Sequence, residues 1–405
     1  MKRGIFLLWV ILTSAIMLAQ KMVVSGTVID GTTNQPVNSA SVTAEEWSVV
    51  TNEDGYFALK SESPLTTIVV SHVGYRSQRV SLDGQPAEGL KIRLSPTTIQ
   101  LHEVVVMADN ARDLVMKAIS KIPSNYSKQP ELYRCFYREA AMKRQHYICV
   151  AEGIVDMYKS GYGHDDNRDR VAIYKGRRLL SPKSSDTLGV KVLGGPVVPI
   201  QLDVVKNTDF LLNAEDLSHY ELKMETPTTI GDRRQYVVSI APRVSLPFAL
   251  YYGKLYIDQE SLAFTRAELS LDMSDRYKAT EVMLVRKPLG VRFKPKEMSM
   301  LVDYRQDADG LTRISYISTL FRFNCDWKRR LFSTSFTARC EMVVTNTTNR
   351  DVKPIRGRES FDQRDAFFDK VDYFRDPDFW RDYNIIEPSE SLDKAINRLL
   401  KKGRN

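Results

Sequence analysis

The sequence predicts a mainly β protein, in which an N-terminal immunoglobulin-like β-sandwich precedes a large antiparallel sheet or half-barrel with a few flanking helices. Two patterns support this fold class. Seven short alternating segments between residues 22 and 94 are separated by turn residues, as is typical of an all-β sandwich. Eleven further alternating segments follow between residues 132 and 348, with no helical pattern between them. Such a meander favours one large curved sheet or partial barrel.

The chain begins with the layout of a secretory signal peptide. Basic Lys2 and Arg3 are followed by an apolar run that only Thr13 and Ser14 interrupt. We predict a signal peptide over residues 1–20, with cleavage after Ala19. The alternative is an uncleaved anchor, but the apolar run is short of the ~20 residues that span a bilayer. We therefore expect an exported protein that lies in the periplasm or at the outer membrane.

The length of 405 residues exceeds that of one ordinary domain, and the patterns divide the chain after the signal peptide into three parts. We predict the sandwich over residues 21–106, a helix plus the large antiparallel domain over 107–350, and an aromatic-rich wrap with a C-terminal helix over 351–405. One of the strands predicted in the second part is K-A-T-E-V-M-L-V, residues 278–285.

Two amphipathic helices flank the predicted large sheet. The first is expected to end at Pro123 and to pack on the second domain. The second lies at the C-terminus and has a basic last turn. Their apolar faces consist of Leu114, Val115, Ala118, Ile119 and Ile122 in the first helix and Leu392, Ala395, Ile396, Leu399 and Leu400 in the second.

The C-terminal part is dense in aromatic residues, which could form a ligand surface or seal one end of the sheet; we favour the seal. These residues are Phe361, Phe367, Phe368, Tyr373, Phe374, Phe379, Trp380 and Tyr383.

The charge is unevenly distributed along the chain. The net charge of +8 falls to +6 without Lys2 and Arg3; residues 21–106 carry 6 basic and 9 acidic side chains, so the remainder carries +9. A basic second domain could contact anionic envelope material such as lipid head groups or acidic glycans, or it could be an ordinary solvated surface. The basic clusters are short: Lys175/Arg177/Arg178 and Lys328/Arg329/Arg330. No basic helix, zinc finger or RNA-binding strand motif indicates nucleic-acid recognition.

Four cysteines, an even number, are compatible with up to two disulfides in an exported protein: Cys135, Cys149, Cys325 and Cys340. The pairs 135/149 and 325/340 would each close a hairpin-sized loop, but neighbouring strands need not bring them within bonding distance. Buried free thiols are the alternative.

The stretch T-N-E-D-G-Y-F-A-L, residues 51–59, raises the question of a metal-binding loop. Calcium could be held by Asn52, Glu53 and Asp54, but a dedicated calcium loop spreads its ligands over ~12 residues. Gly55 supplies the backbone freedom of a hairpin, and Phe57 and Leu59 would then point into the sandwich. We interpret the stretch as a fold signature.

Four segments of the first part carry a resemblance: G-T-V-I-D at 26–30, Q-P-V-N-S-A-S-V at 35–42, T-N-E-D-G-Y-F-A-L, and V-S-H-V-G-Y at 70–75. They resemble the carboxypeptidase-like regulatory domain, a transthyretin-like β-sandwich abundant in envelope proteins of Bacteroidetes-type bacteria. Ser39 departs from the family, which usually has glycine there. In the peptidases this module is an appendage to the zinc domain, so the resemblance implies no activity.

Two further resemblances concern the second part. The hairpin at 254–268 is similar to the central hairpin of lipoprotein-carrier-like half-barrels that hold acyl chains. C-F-Y-R-E at 135–139 and D-F-W-R-D-Y-N-I-I-E-P at 378–388 resemble a Bacteroidetes family of secreted proteins, of unassigned function, that carries the same regulatory domain. Asp186-Thr187-Leu188 fits the Asp-Thr-aliphatic pattern of O-glycan attachment in such bacteria, so Thr187 is a candidate modification site.

Motifs for catalysis and for metal binding are missing. The sequence has no H-x-x-E, H-E-x-x-H or G-x-S-x-G motif, and we predict no catalytic, cofactor-binding or metal-binding residue and no cofactor. Glu139 and Glu152 lie on predicted strands and could form an acid pair as in glycosidases, although a salt bridge to Arg138 or a neighbour is our preferred interpretation. The histidines lack ligand spacing: His72, His102, His146, His164 and His219.

These observations predict a non-catalytic cell-envelope protein with a binding or adaptor role. The expected partner is an envelope protein, or an apolar or envelope-derived ligand such as lipid or glycan, and peripheral association with the outer membrane fits the basic second domain. The alternative is a hydrolase that acts on glycan or peptide through a carboxylate pair such as Glu139 and Glu152.

Overall fold

The computed structural model describes residues 21–97, 111–162, 168–183, 190–192, 194–328, 333–362, 364–373 and 379–402. Several sequence predictions fall outside these ranges: the signal peptide, a strand at 101–106, the candidate glycan site at Thr187, and His102, His164, Arg329, Arg330 and Phe374. Among the helices that are described, none has the length and apolarity needed to cross a membrane.

The predicted N-terminal β-sandwich is confirmed, with all seven strands. One sheet has the order β4-β1-β7, in which β1 and β7 run parallel, and the other has the order β3-β2-β5-β6. Alternation places Val24, Val42, Phe57 and Ile68 between the sheets, where none of them is exposed. The strands are β1 Met22–Asp30, β2 Ser41–Ala44, β3 Trp47–Val50, β4 Tyr56–Ser61, β5 Thr67–Ser71, β6 Gln78–Ser81 and β7 Ala87–Leu94.

The turn before β4 has the structure that its sequence predicts. Gly55 adopts φ 72°, and a Cβ there would lie 2.4 Å from the Val28 carbonyl oxygen, so only glycine fits. The Asn52 side-chain oxygen accepts hydrogen bonds from the backbone N–H groups of Asp54 and Tyr56. Ser39, at the position where the resembled family has glycine, also takes a left-handed conformation, with φ 57°.

The second part forms one large open sheet, as predicted. Its order is β12-β13-β14-β15-β17-β18-β19-β8-β9-β10-β20; every pair is antiparallel except β10 and β20. Its strands are β8 Glu131–Lys143, β9 His146–Lys159, β10 Arg170–Leu180, β12 Tyr220–Ile230, β13 Arg233–Pro242, β14 Tyr251–Asp258, β15 Phe264–Leu271, β17 Val291–Gln306, β18 Thr312–Trp327, β19 Thr334–Thr348 and β20 Asp372–Tyr373. A separate two-stranded sheet joins β11 Lys191–Val192 to β16 Leu284–Arg286.

The strand predicted at 278–285 is wrong for most of its length. Residues Arg276–Met283 form a helix, because the Asp275 carboxylate accepts hydrogen bonds from the N–H groups of Tyr277 and Lys278 and so caps a helix N-terminus. Ala279 and Met283, four residues apart, are the buried side chains of this helix. The apolar positions of the segment fit both the two-residue period of a strand and the 3.6-residue period of a helix, and the N-terminal cap favours the helix.

Helices and connecting segments cover one face of the large sheet, which we call the inner face and which carries Val155, Leu269 and Val302. The first predicted helix is present and buries Val115, Ala118 and Ile122. It continues two residues past Pro123, its predicted end, because a proline in the last turn removes one helical hydrogen bond without preventing a further half-turn. The helices are α1 Ala111–Asn125, α2 Val198–Gln201, α3 Ala214–Leu217, α4 Arg276–Met283 and α5 Glu390–Lys402.

The C-terminal segment passes around the β10 edge of the sheet. Phe361 and Phe367 belong to the core of the inner face, whereas Trp380 and Ile386 pack on the opposite face, which we call the outer face. Helix α5 then packs its apolar side chains on the outer face at β9 and β10: Leu392, Ile396 and Leu399 against Val150 and Leu179.

All four cysteines are free thiols. The strand register explains why the two hairpin pairs do not form: Cys135 lies opposite Val155 while Cys149 lies opposite Ala141. In the same way, Cys325 lies opposite Thr334 and Cys340 lies opposite Thr319, well beyond bonding distance along the hairpin.

Gly153 and its cross-strand partner Gly176 make room for the C-terminal segment on the inner face. A Cβ on Gly153 would lie 2.7 Å from Phe367 Cζ. We therefore expect Gly153→Ala to lower the free energy of unfolding by about 1–3 kcal/mol through overpacking, as measured by urea denaturation.

Gly357→Ala is the matched control, since nothing lies within 4 Å of a Cβ placed there. Equal stability of the two variants would contradict the role of Gly153.

Candidate functional site

The candidate site is a cleft of about 290 Å³ between the sandwich and the outer face of the large sheet. The sandwich wall is polar because β2 and β5 alternate: Val42 and Val70 point into the sandwich core, so Ser41, Thr43 and Ser71 point outward. The cleft residues from the sandwich are Ser39, Ser41, Thr43, Ser48, Val50, Val69, Ser71, His72, Val73, Ser77 and Arg79.

The sheet wall of the cleft carries charges of both signs, held in pairs. Arg266 NH1 lies 3.1 Å from Asp303 Oδ1. Burial raises the pKa of Asp303 above its ordinary value, and Arg266 opposes this rise. Arg233 holds Asp258 through two hydrogen bonds of 2.5 and 2.7 Å. Although burial acts to raise the pKa of Asp258, these bonds outweigh it and leave the pKa low.

Two basic side chains of the sandwich reach the cleft. Arg79 is exposed, and its guanidinium makes no hydrogen bond or ion pair with the residues that the structure describes. His72 is partly buried against Arg266, and burial together with that positive charge lowers its pKa to about 4. His72 is therefore neutral at pH 7, and Arg79 is the cation available to a ligand.

The His72–Tyr75 loop fixes one side of the cleft. Gly74 N–H donates to the Thr229 carbonyl (2.9 Å), and the hydroxyls of Thr97 and Thr229 lie 2.9 Å apart. Asp232 Oδ1 accepts from the Ser77 N–H at 2.7 Å. These hydrogen bonds connect the sandwich to the tip of the β12–β13 hairpin.

The T-N-E-D-G turn fixes the other side. Asn52 Nδ2 donates to the Pro388 carbonyl (3.0 Å), Glu53 pairs with Arg339 (2.5 Å), and Asp54 Oδ2 accepts the Glu390 N–H (2.6 Å). The three side chains weighed as calcium ligands thus each contact the chain beyond the sandwich, Glu53 in the second part and the other two in the C-terminal part. Within the described ranges, no three His, Cys, Asp or Glu side chains are grouped as a metal site requires.

An apolar cluster joins the sandwich to the outer face of the sheet. Val50 is its contribution from the sandwich, and the cleft and a second interdomain cleft of about 350 Å³ both border it. The cluster consists of Val50, Phe136, Ile154, Tyr316, Val343, Trp380, Ile385 and Ile386.

Glu152 lies under this cluster and forms the expected salt bridge to Arg138. The carboxylate accepts from Arg138 Nε (2.8 Å), Arg177 Nε (3.0 Å) and Trp380 Nε1 (2.9 Å), and only 2% of the residue is exposed. Burial acts to raise the pKa of Glu152, but the two guanidinium groups outweigh it, so the pKa is lowered and the group stays ionised.

The proposed acid pair of Glu139 and Glu152 is wrong. Cross-strand partners share a face, and Arg138 lies opposite Glu152 while Glu139 lies opposite Ala151, so the two carboxylates point to opposite faces. Glu139 accepts from Tyr137 OH at 3.1 Å on the inner face, and burial raises its pKa to about 7.

A buried ionic cluster on the inner face was not predicted. Lys159 Nζ lies 2.5 Å from Asp203 and Lys206 Nζ lies 2.7 Å from Asp169. Burial acts to lower the pKa of Lys159, but Asp203 and Asp169 outweigh it and raise the pKa, so the cluster is ionic. Its members are up to 47 residues apart in the sequence, with no motif around them. With its charges paired, the cluster ties β9 to the segment that covers the inner face.

Comparison with known proteins identifies the first domain. Residues 24–106 match the family model of the CarboxypepD_reg-like domain, which confirms the resemblance drawn from the motifs. No curated protein matches the chain.

Among the solved structures that are similar to the chain, three examples all have low sequence identity to it. A DUF1329 family protein from Desulfovibrio piger is 9% identical, over 60% of this chain and 93% of that one, with a TM-score of 0.25. A putative outer membrane lipoprotein-sorting protein domain from Vibrio parahaemolyticus is 9% identical, over 60% and 95%, with a TM-score of 0.26. A putative membrane-associated protein of unknown function from Bacteroides fragilis is 10% identical, over 81% and 98%, with a TM-score of 0.16.

The first prediction from the site concerns Glu152. Glu152→Gln leaves two buried guanidinium groups without a counter-charge, so we expect a loss of about 3–5 kcal/mol in the free energy of unfolding. Urea denaturation followed by tryptophan fluorescence measures it. Glu297→Gln, which breaks an exposed pair with Arg322, is the control and should cost less than ~1 kcal/mol. Equal losses of stability in the two variants would contradict the role of Glu152 as the buried counter-charge of the two arginines.

The second prediction concerns pH. The unfolded chain protonates His72 near its ordinary pKa of 6.5 and the folded protein only near 4, so the stability that neutral His72 contributes is present above pH 6.5 and lost as the pH falls toward 4. His72→Gln should reduce the slope of unfolding free energy against pH in this window, by less than ~1.4 kcal/mol per pH unit.

Exposed His146→Gln is the control, and both are measured by urea denaturation between pH 4 and 7.5. An unchanged slope in His72→Gln would contradict the burial of a neutral imidazole.

Proposed function

We propose that this protein is a non-catalytic cell-envelope binding protein that holds an acidic glycan in the cleft between the sandwich and the large sheet. The observation that carries the proposal is the composition of the cleft: hydroxyls of Ser41, Thr43 and Ser71 on one wall, charged pairs on the other, and the exposed, unpaired Arg79 at its border. Hydroxyls and a free guanidinium suit a ligand that is rich in hydroxyls and carries carboxylates.

The packing of the inner face favours this polar ligand over an apolar one. An acyl carrier of the half-barrel type needs an open apolar interior, but here α1 and residues 194–220 lie on the inner face, and core residues such as Val155, Leu255 and Val302 have no exposed surface. We therefore place the ligand between the domains rather than inside the sheet.

The state of the cleft carboxylates supports a non-catalytic role. Asp258 and Asp303 are each held by an arginine, and Asp232 accepts a backbone N–H. General acid–base hydrolysis of a glycan needs two carboxyl groups free to exchange protons across the scissile bond. With Glu139 and Glu152 on opposite faces, the hydrolase alternative has lost the pair on which it was based.

The sequence of the N-terminus supports the envelope location that we propose. The basic start and apolar run of residues 1–20 have the layout of a signal peptide, and the sandwich motifs are typical of envelope proteins. We propose a periplasmic or outer-membrane-associated location.

Isothermal titration calorimetry with a tetragalacturonate and the neutral maltotetraose tests the proposal. We expect the acidic tetrasaccharide to bind at least tenfold more tightly than the neutral one. Arg79→Ala should weaken its binding about tenfold, because the loss of one charge-assisted contact costs about 1.4 kcal/mol. Thr43→Trp should fill the cleft and abolish binding.

Arg93→Ala, an exposed arginine on the other sheet of the sandwich, is the matched control and should bind as the wild type does. No binding of either sugar, or equal losses in Arg79→Ala and Arg93→Ala, would overturn the proposal.

A further inference from the structure

Exposed apolar side chains are concentrated at one end of the large sheet. Of the nine large apolar residues that are exposed in the described part of the chain, six lie between residues 244 and 289. Leu289 is fully exposed in the turn before β17, and Tyr277 and Phe248 are 73% and 53% exposed. Isolated exposed apolar residues are normal, but a concentration of this kind marks an interaction surface.

The elements that carry these residues pack around a single core. Ala249 of the 243–250 loop, Ala279 and Met283 of α4, and Val291 of β17 belong to the same buried cluster. Lys278 Nζ on α4 also donates to Ser245 Oγ in the loop, at 3.0 Å. The loop, α4 and the β16–β17 turn therefore form one end of the molecule, which we call the apolar end.

Basic residues surround the apolar end. Residues 243–250 and 272–292 together contain 6 basic and 3 acidic side chains, a balance of +3. Two of the acids act locally: Asp272 accepts from Ser274, and Asp275 caps α4. The basic residues are Arg243, Arg276, Lys278, Arg286, Lys287 and Arg292.

We propose that the apolar end docks on the surface of an anionic lipid bilayer. Exposed Leu, Phe and Tyr side chains next to Lys and Arg are the combination that binds membrane interfaces: the apolar groups enter the boundary of the acyl chains, while the cations pair with anionic head groups. The positive balance decides between a membrane and a second copy of this chain, since two such ends would repel each other. This surface is separate from the glycan cleft.

Cosedimentation with large unilamellar vesicles tests the docking. The full mature chain should bind vesicles of phosphatidylglycerol and phosphatidylethanolamine at 1:1 at least tenfold more tightly than vesicles of phosphatidylcholine, and rising salt should weaken the binding. Leu289→Ser and the double variant R286Q/K287Q should each reduce binding to the anionic vesicles several-fold. The two variants separate the apolar part of the interaction from the charged part.

Met116→Ser, which removes an exposed apolar side chain from α1, is the matched control and should bind as the wild type does. Circular dichroism confirms that each variant folds. Equal binding to both vesicle types, equal losses in Leu289→Ser and Met116→Ser, or a concentration-dependent dimer that Leu289→Ser disrupts would each overturn the proposal. We expect these variants to leave glycan binding unchanged, because none of the substituted residues lines the cleft, so the two proposals fail separately.

Discussion

The buried carboxylate of Glu152 is the interaction on which the arrangement of the two domains depends. A fully desolvated charge is tolerated only when it is paired and hydrogen-bonded, and Glu152 has two guanidinium groups and an indole N–H around it. The indole belongs to Trp380, and the second hydrogen bond of Arg138 goes to the Ile386 carbonyl. The carboxylate therefore fixes the C-terminal segment on the outer face, and that segment in turn binds the sandwich through Asn384, whose side chain bonds both backbone groups of Lys60.

The polar cleft follows from how a sandwich is built. In β2 and β5 the even-numbered residues pack into the sandwich core, so the odd-numbered side chains point outward. Most of these outward-pointing residues are serine and threonine. Had the sandwich docked flat on the sheet, these hydroxyls would have been buried without partners, which costs free energy. The sandwich instead contacts the sheet through Val50 and the apolar cluster around it, and the hydroxyls line the cleft next to this contact.

The sequence was informative wherever a residue pattern acts locally. Alternation predicted the sandwich and the large sheet, and Gly55 predicted its turn. The sequence was misleading where contacts between residues far apart in the chain determine which side chains meet. The pairing register of β8 and β9 puts Glu139 and Glu152 on opposite faces of the sheet, and a register shifted by one residue would have put them on the same face. The same register keeps Cys135 from Cys149. The cleft was not predictable either, since its walls are held by contacts such as Asn52 to Pro388, 336 residues apart. In residues 278–285 the apolar positions fit a strand as well as a helix. The local signal that decides for the helix is the N-terminal cap at Asp275, which precedes the segment.

The outer face relates the cleft to the apolar end. A groove of about 360 Å³ runs over β14, β15, β17 and β18. It is lined by Arg266, which also lines the cleft, and by Tyr252, an exposed residue of β14 two positions after the loop of the apolar end. Alternation puts Tyr252, Lys254, Glu268 and Arg266 on this one face, where Leu301 and Leu320 also line the groove. A glycan anchored in a membrane on which the apolar end rests would pass over these polar and apolar side chains between the bilayer and the cleft. Because the C-terminal segment held by Glu152 bonds the sandwich through Asn384, the position of the cleft relative to the apolar end follows from contacts on the sheet.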